Sequence, residues 1–290
     1  MPYIGRFAPT PSGPLHFGSL VTALASWLDA RYHGGRWLLR IDDLDPPRQQ
    51  PGAADTILFQ LDVFGLHWDG EVYYQSRRYD AYHAAVQRLL DQGQAFYCSL
   101  SRQQLAERGN VHPGPVLARP PGPDQAIRLS VPDAPRHFED RVQGRVSGNL
   151  QEQGGAFVIR RRDGLFAYQL ACALDDTDQG ITDVVRGCDL LASTLRQRHV
   201  LECLQAPPPA YAHLPVVMAA DGGKMSKSAG ASMLDSEHPG PCLFAALGGV
   251  GLKPGAELRQ APVDEQLAWA RQHWHPGLLP RGRQLPPPAF

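Results

Sequence analysis

Two stretches of the 290-residue chain, some two hundred positions apart, carry side chains suited to polyphosphate. The first is "FAPTPSGPLHFGSL", residues 7–20, a turn rich in proline and glycine with His16 at its end and an apolar run behind it. A strand that turns sharply into a helix N-terminus presents unpaired N–H groups to an anion. An imidazole at that point stabilises negative charge growing on a phosphate. The stretch has neither G-x-x-x-x-G-K-[ST] nor G-x-G-x-x-G. Taken alone, His16 reads more readily as a turn or capping residue. The second stretch, "GGKMSKS", holds Lys224 and Lys227 in a chain whose one other lysine is Lys253. A compact ammonium is not interchangeable with a planar guanidinium. Glycines, serines and two lysines suit a loop that closes over phosphates, although a plain polar surface loop has the same composition. The two stretches together say more than either alone.

Around these, composition narrows the possibilities. The formal net charge is −1, so any polyanion contact has to come from a local patch. Arg160, Arg161 and Arg162 form one such patch, which reads equally as a solvated strand edge. Five cysteines, Cys98, Cys172, Cys188, Cys203 and Cys242, contain no C-x-x-C pair, and disulfides are not expected. The N-terminus shows no secretory pattern and no apolar run reaches membrane-spanning length, so a cytoplasmic protein is expected.

The elements that must position these residues follow from periodicity. "YIGRFA" reads as a buried strand, and residues 17–33 as a helix with Leu20, Leu24, Trp27 and Leu28 on one face, closed by Gly34 and Gly35. "RWLLRID" is a second strand ending at Asp42, Asp43 and Asp45; "GAADTILFQLDVFG" and "RYDAYHAAVQRLLDQG" are helices. This alternation predicts an α/β fold with a parallel sheet and right-handed crossovers. Residues 1–96 read as the first half of that domain, 97–155 as an inserted subdomain, 156–235 as the second half with the lysine loop, and 236–290 as a helical C-terminal region and tail. In the second half "FAYQLACALDD" and "LLASTLRQRHVLECL" are helices flanking the strand "ITDVVRG". The end, "PRGRQLPPPAF", reads as disordered.

"PLHFGS" followed far downstream by "KMSKS" resembles the paired signatures of class I aminoacyl-tRNA synthetases. "RFAPTPSGPLHFGSL", "RIDDLDPPR", "FGLHWDG", "YYQSRRYDAY", "DGLFAYQLA" and "DDTDQGITDVVRG" are similar, in this order, to the glutamyl branch of that family. The resemblance covers residues 3–228. It implies a Rossmann-type parallel sheet with an inserted α+β subdomain, a short helical C-terminal region and no anticodon-binding domain. It implies a glutamate pocket of Arg6, Ala8, Ser12, Asp42, Tyr168 and Arg186, with Asp42 on the α-amine. ATP would lie against His16, Gly18, Ser19, Lys224, Met225, Ser226 and Lys227. His16 and Lys227, with Lys224 second, would stabilise charge as the glutamate α-carboxylate attacks the α-phosphate. Mg2+ would accompany ATP, held mainly by phosphates and water, with no protein ligand to name.

Short members of this branch glutamylate the queuosine base at the wobble position of tRNA(Asp), and the early end of this chain after its lysine loop points to them. L-glutamate, ATP and queuosine-bearing tRNA(Asp) are the implied partners; a monomer is expected. The alternatives are a truncated glutamyl-tRNA synthetase acylating a tRNA 3′ end, and an inert tRNA-binding paralogue. Two positions depart from the family pattern. Asp42 stands where the family carries glutamate, one methylene longer, so its contact to the amine would run through water. Of the family's zinc ligands in the insertion only Cys98 remains, with Leu100 at the second cysteine position, and no structural zinc is expected.

Overall fold

A computed structural model describes residues 2–115, 122, 125–219 and 234–287. The chain opens with β1 (Ile4–Phe7), crosses through α1 (Phe17–Tyr32) and returns as β2 (Arg36–Ile41), parallel to β1 with Arg6 opposite Leu38. Leu20, Leu24, Trp27 and Leu28 bury the apolar face of α1. The helix stops at Gly34, whose φ of 61° is the left-handed turn that glycine adopts without a Cβ penalty. A Cβ on Gly35 would stand 2.4 Å from the Tyr3 carbonyl oxygen, so the next strand can enter only as glycine. After α2 (Ala53–Val63), β3 (Tyr73–Tyr74) adds in parallel outside β2.

The middle of the chain goes to two places. After α3 (Tyr79–Asp91) come β4 (Ala95–Cys98), the short α4 (Arg102–Ala106) and β5 (Ala126–Leu129); next is a hairpin, β6 (Pro135–Asp140) and β7 (Gly144–Asn149), and then β8 (Phe157–Arg160). β4, β5 and β8 form a separate antiparallel sheet. The hairpin instead joins the main α/β body, where β6 lies parallel to a later strand.

The second half supplies α5 (Tyr168–Asp178), β9 (Asp183–Gly187), α6 (Leu191–Cys203), β10 (Ala210–Leu214) and β11 (Val216–Val217). The order of this sheet is β7-β6-β10-β9. Its free edge meets the first sheet: β9 packs beside β1, and the Thr182 N–H donates to the Ile4 carbonyl at 2.9 Å. The strand order therefore reverses between β1 and β9, the place where α/β sheets open a ligand crevice at their C-terminal ends. The C-terminal region packs α7 (Pro239–Gly249) and α8 (Val263–His273) on α1. It ends in β12 (Gln284–Leu285), which pairs with β11. Residues 280–287 thus depart from the disorder expected of the tail, because the Val216 and Met218 N–H groups bond to the Arg283 and Leu285 carbonyls; residues 288–290 lie outside the described residues.

Candidate active site

A cleft of about 820 Å3 opens where β1, β9 and β10 end, lined among others by Thr10, Ser12, His16, Gly18, Ser19 and Asp189. His16 is the N-cap of α1: its Nδ1 accepts the Ser19 N–H at 3.2 Å, and its carbonyl accepts the Ser19 and Leu20 N–H groups. An acceptor at Nδ1 places the proton of the neutral ring on Nε2. The capping and the functional readings of His16 are therefore compatible, because the cap sets the ring's tautomer. Gly18 makes room for that ring: a Cβ there would lie 3.2 Å from His16 Cε1 and 3.3 Å from Nδ1. Lys224, Met225, Ser226 and Lys227 lie outside the described residues.

Arg6, Asp42, Tyr168 and Arg186 come together. Arg6 is on β1, Asp42 directly follows the neighbouring β2, Arg186 is on β9, and Tyr168 opens α5. Burial pushes the Tyr168 phenol pKa up, and Cys172, Arg186, Asp42 and Arg6 are the groups whose fields reach it. Arg186 Nη1 donates to the Tyr168 hydroxyl at 3.4 Å. Ser12 lines the cleft and Ala8 follows β1 directly, half-buried.

Three residues that the motifs did not single out hold this group in place. Asp176 accepts Arg6 Nε at 3.1 Å and Nη2 at 3.3 Å, a bidentate pair, and accepts Arg40 Nη1 at 2.7 Å. Arg40 in turn donates Nε to Asp42 at 2.7 Å and lies 3.4 Å from Cys172 Sγ. Two guanidinium groups thus balance two carboxylates in a site from which water is nearly excluded. Burial disfavours ionised Asp176, but Arg6 and Arg40 outweigh it and hold its pKa down at about 2. For Asp42 burial prevails over its shared partner Arg40, and the pKa stands at about 6. The signal for these residues was present: Tyr168, Cys172 and Asp176 recur every fourth residue on one face of α5, and Arg40 stands two residues before Asp42.

In the small sheet, Cys98 has a neighbour that the sequence reading passed over. His112 Nε2 lies 3.1 Å from Cys98 Sγ, and His112 Nδ1 accepts the Gly114 N–H at 3.2 Å. The ring proton is therefore on Nε2 and donates to sulfur. Burial, with Arg128 and Arg108 adding to it, pushes the His112 pKa down to about 4.

A strand-order reversal with a crevice at the strands' C-terminal ends is the architecture of a nucleotide-binding α/β domain. The chain belongs to the class I tRNA synthetases (E and Q), whose catalytic-domain profile matches residues 4–113 and 118–240. Within that family, the chain is 54% identical over 98% of its length to a protein named glutamyl-Q tRNA(Asp) synthetase from Ectopseudomonas mendocina, covering 97% of that protein. It is 51% identical to the protein of the same name from Pseudomonas aeruginosa PAO1, with 98% of this chain and 97% of the relative covered. In structure it resembles a crystallised glutamate tRNA ligase from Elizabethkingia meningosepticum, in complex with its amino acid. The TM-score is 0.81 at 24% identity, over 98% of this chain and 67% of the other, a likeness of fold.

Proposed function

We propose that this protein activates L-glutamate with ATP and passes it to the queuosine base of tRNA(Asp). One observation supports the reading: Arg6, Asp42 and Arg186, far apart in sequence, all act on Tyr168, whose hydroxyl accepts from Arg186. Guanidinium groups suit the two carboxylates of glutamate, and a carboxylate suits its amine. An α-carboxylate oxygen of glutamate bonds to the α-phosphorus while the bond to pyrophosphate breaks. The nucleophile is already an anion, so no general base is required. Charge spreads over the phosphoryl oxygens, where the His16 Nε2–H, the α1 N-terminus and Lys227, with Lys224, act. A queuosine hydroxyl then attacks the acyl carbon, loses its proton, and AMP leaves.

Mg2+ arrives with the nucleotide, held mainly by its phosphates and by water. Among the described residues no group of three His, Cys, Asp or Glu side chains gathers to hold a metal, so no protein ligand is assigned. No helix among the described residues is long and apolar enough to cross a membrane. A cytoplasmic monomer is the proposed working form. The names of the full-length relatives support tRNA(Asp) as the acceptor.

The test begins with glutamate-dependent ATP–pyrophosphate exchange on RNA-free protein. Exchange is expected without tRNA, and Lys227→Ala is expected to slow it about ten- to a thousandfold. Radiolabelled glutamate is then offered with tRNA(Asp) that contains or lacks queuosine, and the label is mapped by nuclease. Label in the anticodon loop of queuosine-bearing tRNA alone is the expected result. Label on the 3′-terminal adenosine, or exchange that depends on tRNA, would overturn the reading.

A further inference from the structure

Arg186 is buried, and among the described residues the groups that hydrogen-bond its guanidinium are all neutral. Nε donates to His213 Nε2 at 3.0 Å, Nη2 to Thr194 Oγ1 at 2.8 Å and to Gln197 Oε1 at 2.7 Å, and Nη1 to the Tyr168 hydroxyl at 3.4 Å. These contacts occupy four of its five N–H bonds, and the fifth is on Nη1, beside Tyr168. The orientation of that group depends on His213. Parallel pairing of β9 with β10 sets His213 directly opposite Arg186, so the two side chains share a face of the sheet.

His213 accepts at Nε2, which requires its proton to sit on Nδ1. Asp140 Oδ2 takes that proton's hydrogen bond at 2.6 Å. The other oxygen of Asp140 cannot swing away, because it accepts the N–H groups of Val142, Gln143 and His213 at 2.9 to 3.1 Å. Asp140 and His213 are both fully buried. Thr194 Oγ1 also lies 3.0 Å from His213 Nε2. If the imidazole proton moved to Nε2 it would be shared with Thr194, the Arg186 Nε–H would lose its acceptor, and two donors would face each other there.

We propose that the Asp140–His213 pair positions Arg186 for glutamate: the carboxylate locks the imidazole in its Nδ1–H form, and the imidazole thereby fixes the guanidinium beside Tyr168. Asp140 lies at the end of β6, so the hairpin of residues 135–149 contributes to the amino-acid pocket without touching substrate. Burial keeps His213 neutral by lowering its pKa, with the Asp140 hydrogen bond opposing it. The inference rests on Arg186 contacting glutamate.

Asp140→Asn tests it. The amide oxygen of asparagine has to take the site of the three backbone N–H groups, which turns its NH2 toward His213 Nδ1. Nδ1 must then accept, and the ring proton shifts to Nε2, against Arg186. This is the wrong-tautomer effect known for buried carboxylate–imidazole pairs. In pyrophosphate exchange the KM for glutamate is expected to rise about ten- to a hundredfold, with the KM for ATP unchanged. Nitrogen-15 NMR of the ring should show Nδ1–H in the natural protein and Nε2–H in the variant.

Arg186→Gln run in parallel separates the two failures. If it raises the glutamate KM while Asp140→Asn does not, the positioning role is wrong and the pocket reading survives. If Arg186→Gln leaves the glutamate KM unchanged, the pocket reading fails and the inference falls with it. If Asp140→Asn changes both KM values and kcat together, the pair is structural only. Should that variant not fold, the tautomer in the natural protein decides, and Nε2–H there overturns the proposal.

Discussion

Asp42 and Asp176 share Arg40, yet their pKa values move in opposite directions. Asp176 has two guanidinium partners and stays ionised down to about pH 2, whereas Asp42 has a share of one and is pushed up to about 6. If Asp42 holds the glutamate amine, it must be ionised to bind. The free enzyme then has its working form above pH 6 and loses it below. kcat/KM for glutamate, which reports free-enzyme groups, is expected to be level above about pH 7 and to fall about tenfold per unit below pH 6. The side chain of free glutamate titrates near pH 4.3, well below that limb. Asp42→Asn should raise KM and abolish the limb; a limb that survives in the variant would assign it elsewhere. The stabilisation supplied by Asp176 is complete above the ordinary aspartate range and is lost as pH falls through about 2. Asp176→Asn leaves Arg6 and Arg40 short of a counter-charge inside the protein. Its expected cost is about 3–5 kcal/mol in thermal or urea unfolding. A change under 1 kcal/mol would mean that water reaches the pair.

Among the elements, α1 and the strands beside it were legible because their apolar residues repeat at clean periods. Leu20, Leu24 and Leu28 recur every four residues, and "RWLLRI" is a continuous apolar run apart from its arginines. α7 was not legible. Its sequence, "PGPCLFAALGG", carries two prolines at the start and glycines at the end, and it is helical because Leu243, Ala246 and Leu247 pack into the core around α1. The hairpin β6–β7 was hidden for another reason: its strands are half-exposed and mostly polar, and its place beside β10 is a long-range pairing. The small sheet β4-β5-β8 carries an expectation about zinc. Cys98 and His112 supply two soft donors, while a structural zinc site takes four. Protein purified without chelator is expected to contain well below one zinc per chain by elemental analysis. Stoichiometric zinc retained through dialysis would overturn this expectation.

For the whole molecule, the C-terminal tail closes the structure over its own active-site strands. Beyond pairing with β11, its Gly282 carbonyl accepts from Gln143 Nε2 at 2.7 Å, and its Arg283 carbonyl accepts from Cys188 Sγ at 3.2 Å. It thus ties together the hairpin turn, the end of β9 and the strand that leads toward the lysine loop. Removing residues 282–290 is expected to cost about 2–4 kcal/mol, at about 1 kcal/mol net per hydrogen bond, and to slow pyrophosphate exchange. A truncated protein with unaltered melting and exchange would show the tail to be passive. The sequence by itself determined the α/β alternation, the histidine turn and the candidate residues Arg6, Asp42, Tyr168 and Arg186, because each sits in a short motif or a local period. Tertiary structure alone decided what holds those residues. Asp176 reaches Arg6 across 170 positions, and Asp140 reaches His213 across 73. Such partners are chosen by strand order and register, which local spacing does not encode, and a buried charge acquires its counter-charge only when the sheets close.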